Sequence, residues 1–495
     1  GLSVLLGAAL GIGFGFRTDV MVNLAPFVVA IALFAPGGVL RPLRTKLAAL
    51  ALCLAAFWIA AGPVITNYQW GNAGWHLVLL GTTDPFDRRL GVSPSIYSFG
   101  NSYSDDLVQT IVKTYAWRVQ PDHVTDPGYF MPEYEEMTRR YFFELARTFP
   151  ADFAIRSWGS VIKVLNLPFS IGFGMVPIGV SSPVIARAYR LRSWLLTAAE
   201  GVTPALLCAL ILVLATDRPR YALALTTLLL FFAAYPVLQY DGRHVFHLEF
   251  LALWIDALTL WWLLAHAAEI RRRIFDPHSI RRIVLVAAAM ALMIFVPIAV
   301  LRLYQRGRVQ ALLAGYAHDP EGQARVVATK VSPDTVRLEV DGAALSERLR
   351  APIAAAMLAV RVGGPGVTCR SGDVELVVRY LQRDNSSRED FSHVVHVPTT
   401  AGVSTSSVAY IPVYVFAHNP YVRFAGIEVP HAQSECIAVS RLEGTDRLRL
   451  LLETVVAERS EPVPLYQRLS DDIEIAPPHI RSAVRRLSRI LRHDR

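Results

Sequence analysis

The chain has 495 residues, 53% of them hydrophobic and 18% charged, with a formal net charge of +8 and a mean hydropathy of +0.36. These values exclude a disordered chain and a disulfide-dense miniprotein, and they make a membrane protein the default reading. In a soluble domain the basic excess would point to nucleic acid; in so apolar a chain it points to basic loops that orient helices in a bilayer, and no nucleic-acid partner is expected.

In chain order, uncharged runs long enough to cross a hydrocarbon core of about 20 residues are read as spans. They are Gly1 to Phe16, Val20 to Leu40, Leu47 to about Asn67, Ser193 to Thr216 with Glu200 inside, Tyr221 to Tyr240, about Val245 to Ala268, and Ile283 to Leu301. The opening at Gly1, inside an apolar run with no basic leader, reads as a fragment lacking its natural start and not as a signal peptide. Placing Arg41, Arg44 and Lys46 in the cytoplasm puts Arg218, Arg220, Arg271, Arg272, Arg273, Arg281 and Arg282 on the same side, and leaves Arg17 and Arg243 in the short loops opposite. Val164 to Ala186 is also free of Asp, Glu, Lys and Arg and long enough to cross, yet it carries Pro168, Pro177 and Pro183 with Gly172, Gly174 and Gly179, and is read as re-entrant or interfacial.

Two large pieces then share the outer face. In the first, about 68–192, Ser104 is placed to cap a helix with Asp105 and Asp106 in its first turn and Leu107, Val108, Ile111, Val112 and Tyr115 on its apolar face. Tyr134, Met137, Tyr141, Leu145 and Phe149 repeat at helical spacing, and both helices are expected to lie on the membrane surface. The second piece changes period. Arg325 to Val340, Ala355 to Val362, Val374 to Tyr380, His393 to Val397, Val408 to Phe416 and Ile437 to Leu442 read as short strands between turn residues, which suggests a β-sandwich over 308–475. The basic stretch Ile480 to Arg492, within a tail over 476–495, reads either as an amphipathic helix for an anionic lipid surface or as a solvated tail. The expected fold is thus a polytopic α-helical membrane domain of about seven spans over 1–303, followed by a mostly β, sandwich-like extracytoplasmic domain.

Four cysteines are too few for a disulfide framework. Cys53 and Cys208 lie in apolar runs, whereas Cys369 and Cys436 lie in the polar third, where an oxidising compartment would let them pair. Ionisable groups at membrane depth are costly unless they face a cavity or a partner. Three places meet that description: Arg17 with Asp19; Asp241-Gly242-Arg243-His244 with His247 and Glu249; and the loop Asp84-Pro85-Phe86-Asp87-Arg88-Arg89 with Asp105 and Asp106 beyond. Arg17 and Arg243 suit a phosphate or pyrophosphate head group, because the guanidinium fork matches phosphate oxygens. Asp19, His244, His247 and Glu249 would line the same cavity, and Asp84, Asp87, Asp105 and Asp106 are the candidate carboxylates. Simpler readings stand beside these: a local Arg17–Asp19 pair, polar residues satisfied at a helix start, and aspartates that only form a turn. The histidines are too sparse for a metal site, and Asp256 and Glu200 inside spans indicate a polar interior.

The run Gly7 to Asp19, Gly-rich and ending in Arg17, followed by an apolar run broken by Pro26, resembles a helix hairpin of the GT-C superfamily of membrane glycosyltransferases. Tyr235-Pro236, Gly242-Arg243-His244 and the apolar Leu248 to Trp254 are similar to a later helix pair of that superfamily, and the β-rich piece looks like its carbohydrate-binding-like accessory modules. The resemblance implies transfer of a sugar from a polyprenyl-phosphate-linked donor to a glycan or protein acceptor, on the outer face of a bacterial inner or plasma membrane. It names no cofactor, although a divalent cation is compatible with the chemistry. The catalytic carboxylate of that superfamily lies in the first outer loop and is not carried onto any residue here. Two other classes compete: a non-catalytic envelope protein whose β-domain binds glycan or a partner protein, and a transporter, which the absence of inverted repeats disfavours.

Overall fold

The structure, a computed structural model, describes residues 1–16, 24, 28–31, 43–67, 74–92, 104–120, 131–167, 182–199, 201–234, 237, 245, 248–274, 277–319, 321–340, 355–363, 372–382, 391–399, 407–414, 422–444 and 448–457. The chain divides into two units, each made from separate stretches: Gly1–Asn72 with Pro150–Tyr304, and Ala73–Phe149 with Gln305–Arg495. The region 68–192, read above as one outer loop, is therefore shared between them.

The first unit is helical. Helix α1 (Leu2–Phe16) packs on α2 (Leu43–Asn67) through Leu10, Phe57 and Ala61. Glycine makes that approach possible: a Cβ on Gly7 would lie 2.0 Å from the Cys53 carbonyl oxygen, and one on Gly11 would lie 2.6 Å from that of Phe57. Short side chains at four-residue spacing let two backbones come this close. Of the shorter α3 (Gly74–Leu80), α4 (Asp84–Leu90), α5 (Asp105–Val119) and α6 (Pro132–Thr148), all belong to the second unit. The first unit resumes with α7 (Pro150–Leu165), α8 (Pro183–Ala199), α9 (Val202–Asp217), α10 (Pro219–Ala234), α11 (Glu249–Ile274) and the first part of α12 (Pro277–His318). Helix α7 packs on α9, α10 and α11. Its contacts there include polar ones: Ser160 Oγ donates to the Ala233 carbonyl at 2.6 Å, and the buried Arg156 reaches the Val237 carbonyl at 3.4 Å.

Two helical segments are long and apolar enough to cross a membrane, Leu43–Thr66 with mean hydropathy 2.2 and Ile280–His318 with 2.9. Their surfaces suit hydrocarbon rather than water, with Ile59 77% and Phe295 68% exposed. Leu2–Gly15, Val202–Ala215, Pro219–Ala234 and Leu251–His266 are apolar but shorter. Seven full-length spans are thus not among the described helices, for local reasons. The run Ser193 to Thr216 is broken at Gly201, whose φ of 87° admits no helix continuation and whose N–H donates to Asn166 Oδ1. In Tyr221 to Tyr240 the helix ends at Ala234, two residues before Pro236. Most of Val20 to Leu40 and most of 168–181 lie outside the described residues, as does the tail 476–495.

The second unit holds two five-stranded antiparallel sheets. Strands β1 (Glu321–Gln323), β2 (Val326–Ser332), β3 (Thr335–Val340), β4 (Ala355–Val362), β5 (Gly372–Gln382), β6 (Phe391–Thr399), β7 (Ser407–Tyr414), β8 (Val422–Pro430), β9 (Ile437–Leu442) and β10 (Thr454–Ala457) are arranged as β1-β9-β4-β7-β10 and β2-β3-β8-β5-β6. What sequence reads as one strand over 325–340 is a hairpin, because Pro333-Asp334 turns the chain between β2 and β3. Strand β7 is buried at every position and β4 at nearly every one, which requires cover on both faces of their sheet. Tyr316 of α12 lies 5.3 Å, centroid to centroid, from Tyr410, and the Tyr414 N–H donates to the hydroxyl of Tyr380 from the second sheet.

Helices α5 and α6 belong to this same body. Their apolar faces, Leu107, Val108, Ile111, Val112 and Tyr115 with Tyr134, Met137, Tyr141 and Leu145, are buried in protein, so these faces are not the membrane-contacting ones the sequence suggests. The tyrosines explain the difference: a ring with a polar tip packs well in protein when the hydroxyl finds a partner. Tyr115 donates to Glu144 at 2.7 Å, its ring lies 5.0 Å from that of Tyr141, and Arg118 donates to the Leu448 carbonyl. Tyr316 donates to the Leu450 carbonyl and accepts from the Leu452 N–H, so residues 450–452 are pinned against α12. Cys436 is disulfide-bonded. Its expected partner Cys369 lies outside the described residues, and Cys53 and Cys208 are free.

Candidate functional site

In the second unit the first turns of α3, α5 and α6 converge. Helix α5 begins as its sequence indicates, with Ser104 Oγ accepting from the Leu107 N–H at 3.3 Å and Asp105 and Asp106 in the first turn, where carboxylates favour the helix dipole. Helix α6 begins at Pro132 with Glu133 and Glu135 in its first turn. Between them lies His76 of α3, fully buried, with Nδ1 2.6 Å from the Tyr134 hydroxyl and Nε2 3.1 Å from Asp105 Oδ1. The Asp105 side chain is itself 67% exposed.

One proton arrangement satisfies all three groups. A neutral imidazole donates from Nε2 to the Asp105 carboxylate and accepts at Nδ1 from the Tyr134 hydroxyl. Burial pushes the His76 ring below its ordinary value, while the hydrogen bond and charge of Asp105 push the other way. Glu135 fixes the helix that carries the ring: its Oε2 accepts from the Trp75 N–H at 3.1 Å, and the His76 N–H also donates to it. Burial raises the Glu135 carboxyl against the pull of those two amides. Trp75 is wedged against Phe142 and Phe143, with centroids 5.5 Å and 5.4 Å away.

The geometry determines which end can do chemistry. In a hydrolytic triad the imidazole faces substrate and a buried carboxylate steadies it. Here the order is reversed, with the ring enclosed and the carboxylate in water. Asp105 is therefore the group able to take a proton from an incoming hydroxyl, and His76 and Tyr134 hold its orientation.

The other sequence candidates fall differently. Asp106 is exposed beside Asp105. Asp87 is fully buried in α4, and the Val92 N–H closes the turn onto its carbonyl. Asp84 opens α4 and Glu249 opens α11, the latter exposed. Arg17, Asp19, Arg243, His244 and His247 lie outside the described residues. Among the described residues no group of three or more His, Cys, Asp or Glu side chains is placed to hold a metal ion.

Sequence reasoning missed His76, Tyr134 and Glu135. A signal for the first was present: one imidazole inside the apolar run Trp75 to Leu80 must be buried and must find partners. It also missed the polar stripe of α7, where Asp152 pairs with Arg302 at 2.6 Å and Arg156 and Ser160 follow at four-residue spacing. No protein-family model matches the chain, no curated protein matches it, and no solved structure matches its fold.

Proposed function

We propose that the chain is a membrane glycosyltransferase that moves a sugar from a polyprenyl-phosphate-linked donor to a glycan or protein acceptor on the outer face of the membrane. Asp105 is the base that takes the proton of the acceptor hydroxyl, and the chemistry also needs cationic groups to balance the departing lipid phosphate. In this reading the helical part is polytopic, with about seven spans, and the sheet-bearing unit faces out of the cytoplasm in a bacterial inner or plasma membrane. The observation that carries the proposal is the exposed Asp105 carboxylate held from behind by buried His76. The disulfide at Cys436 supports an oxidising compartment for its unit, and the apolar helices support a lipid-borne donor.

The test supplies the full-length protein in lipid nanodiscs with a panel of polyprenyl-phosphate-linked sugars and simple glycosides, and follows release of polyprenyl phosphate by mass spectrometry. Turnover of at least one donor is expected, with Asp105→Asn slower by about 10²- to 10⁴-fold. Donor turnover equal in wild type and Asp105→Asn removes the base assignment. Absence of turnover with every donor, together with retention of glycan by the folded protein, favours the non-catalytic glycan-binding alternative.

A further inference from the structure

In the first unit, α9 and α11 bring a carboxylate and a hydroxyl together among apolar side chains, and a second hydroxyl follows one turn along α11. Thr203, fully buried in the first turn of α9, donates its hydroxyl to Asp256 Oδ2 at 2.9 Å. Asp256 Oδ1 is also buried, and no described residue donates a hydrogen bond to it. The Thr259 side chain lies one turn further along α11, 2% exposed, with a buried hydroxyl oxygen that likewise has no partner among the described residues. Residues three apart on a helix share a face, so Thr259 belongs to the Asp256 side of α11. The surroundings are hydrocarbon: Leu207, Leu210 and Ile211 on α9, and Ala252 and Ile255 on α11, are all buried.

Among the described residues no cation answers this carboxylate. On α9 the next charged residue is Asp217 at the far end; on α11 the neighbouring titratable groups are Glu249 and His266, seven and ten residues away. Helix α7, which also packs on α11, carries Asp152, Arg156 and Lys163, and none of them makes an ion pair with Asp256. A carboxylate oxygen buried there without a donor is unfavourable. The arrangement is complete only when a small positive charge joins it.

We propose that Asp256, Thr203 and Thr259 form a binding site for a small monovalent cation, a proton or a sodium ion, within the helical unit. A proton on Oδ1 turns an orphaned acceptor into a donor. A sodium ion would instead use the two carboxylate oxygens and both hydroxyl oxygens, hard ligands of the kind such ions take. The site is separate from Asp105 and does not depend on the transferase reading.

The test treats the full-length protein in nanodiscs with dicyclohexylcarbodiimide, an apolar reagent that adds to protonated carboxyl groups. It enters from the exposed apolar face of α11, where Leu253 and Trp254 stand. Peptide fragmentation is expected to place one adduct on Asp256 and none on Glu249, and Asp256→Asn, close to isosteric with the protonated acid, abolishes it with an unchanged circular dichroism spectrum. If the ligand is a proton, the adduct falls by about tenfold per unit as pH rises through the titration, whether the salt is sodium or choline chloride. In Thr203→Val the fall moves to higher pH, because the ionised form has lost its one donor. If the ligand is sodium, sodium chloride suppresses the adduct about tenfold at fixed pH and choline chloride does not. An adduct absent at every pH and salt, or insensitive to both, overturns the proposal.

Discussion

His76 ties stability to pH in a direction that its surroundings fix. Burial lowers its proton affinity below that of the unfolded chain, where the ordinary value is about 6.5. Below that value the unfolded state binds more protons than the folded one, so the stability the neutral ring contributes is present above about pH 6.5 and is lost as pH falls towards the folded value. Between pH 7 and pH 5 the wild type should therefore lose more thermal stability than His76→Gln, followed by the fluorescence of the neighbouring Trp75. Glu135→Ala removes the acceptor of two amide donors and is expected to cost about 1–2 kcal/mol in the same assay. These residues also mark where sequence stops being legible. Ser104 and Asp105 could be placed because a helix cap is settled within four positions; the partners of His76 stand 29 and 58 residues away.

At the level of elements, α1 and α2 depend on what Gly7 and Gly11 lack. Gly7→Leu drives a side chain into the backbone at Cys53, and overpacking of this kind costs about 1–3 kcal/mol. The buried, free Cys53 should then react faster with N-ethylmaleimide, while Gly1→Ala, with open space around it, leaves the rate as it was. The strands show a matching contrast. Ile437–Leu442 is legible to the residue because a short stretch carrying Ile437, Val439 and Leu442 stops at Glu443-Gly444. Strand β8 escaped notice because Arg423, Gly426 and Glu428 interrupt it, yet those charges have a purpose in the sheet: Glu428 accepts from both Arg337 and Arg379 across neighbouring strands. Burial raises the Glu428 carboxyl and the two guanidinium groups more than offset this, leaving it below the ordinary range.

For the whole molecule, composition and period revealed an apolar helical part followed by strands, and could not reveal that the halves are interwoven. Nothing local in Asp105–Val119 announces that its Arg118 will bond to a carbonyl 330 residues later. A fragment of residues 305–495 made alone should therefore lack the helices that hold Leu448 and Arg449, expose the surface they cover, and bind a hydrophobic dye. Co-expression with residues 73–149 should reduce that binding, whereas an equally soluble, dye-free fragment would deny the helices a covering role. Non-reducing peptide mapping of the full chain is expected to recover a Cys369–Cys436 cross-link; alkylation of Cys369 without prior reduction would contradict it.

The alternation of stretches between the two units has a consequence for how the protein comes into being. Residues 73–149 leave the ribosome more than 150 residues before the strands on which they will rest, at synthesis rates of about 5–20 residues per second. During that interval their tyrosine-lined faces lack the cover that residues 448–452 later bring to this unit. A transcript cut short before that point yields helices already committed to their unit but unable to finish it. Completion of the second unit thus reports that translation has passed residue 452, and a product terminated before it stays exposed to chaperones and proteases.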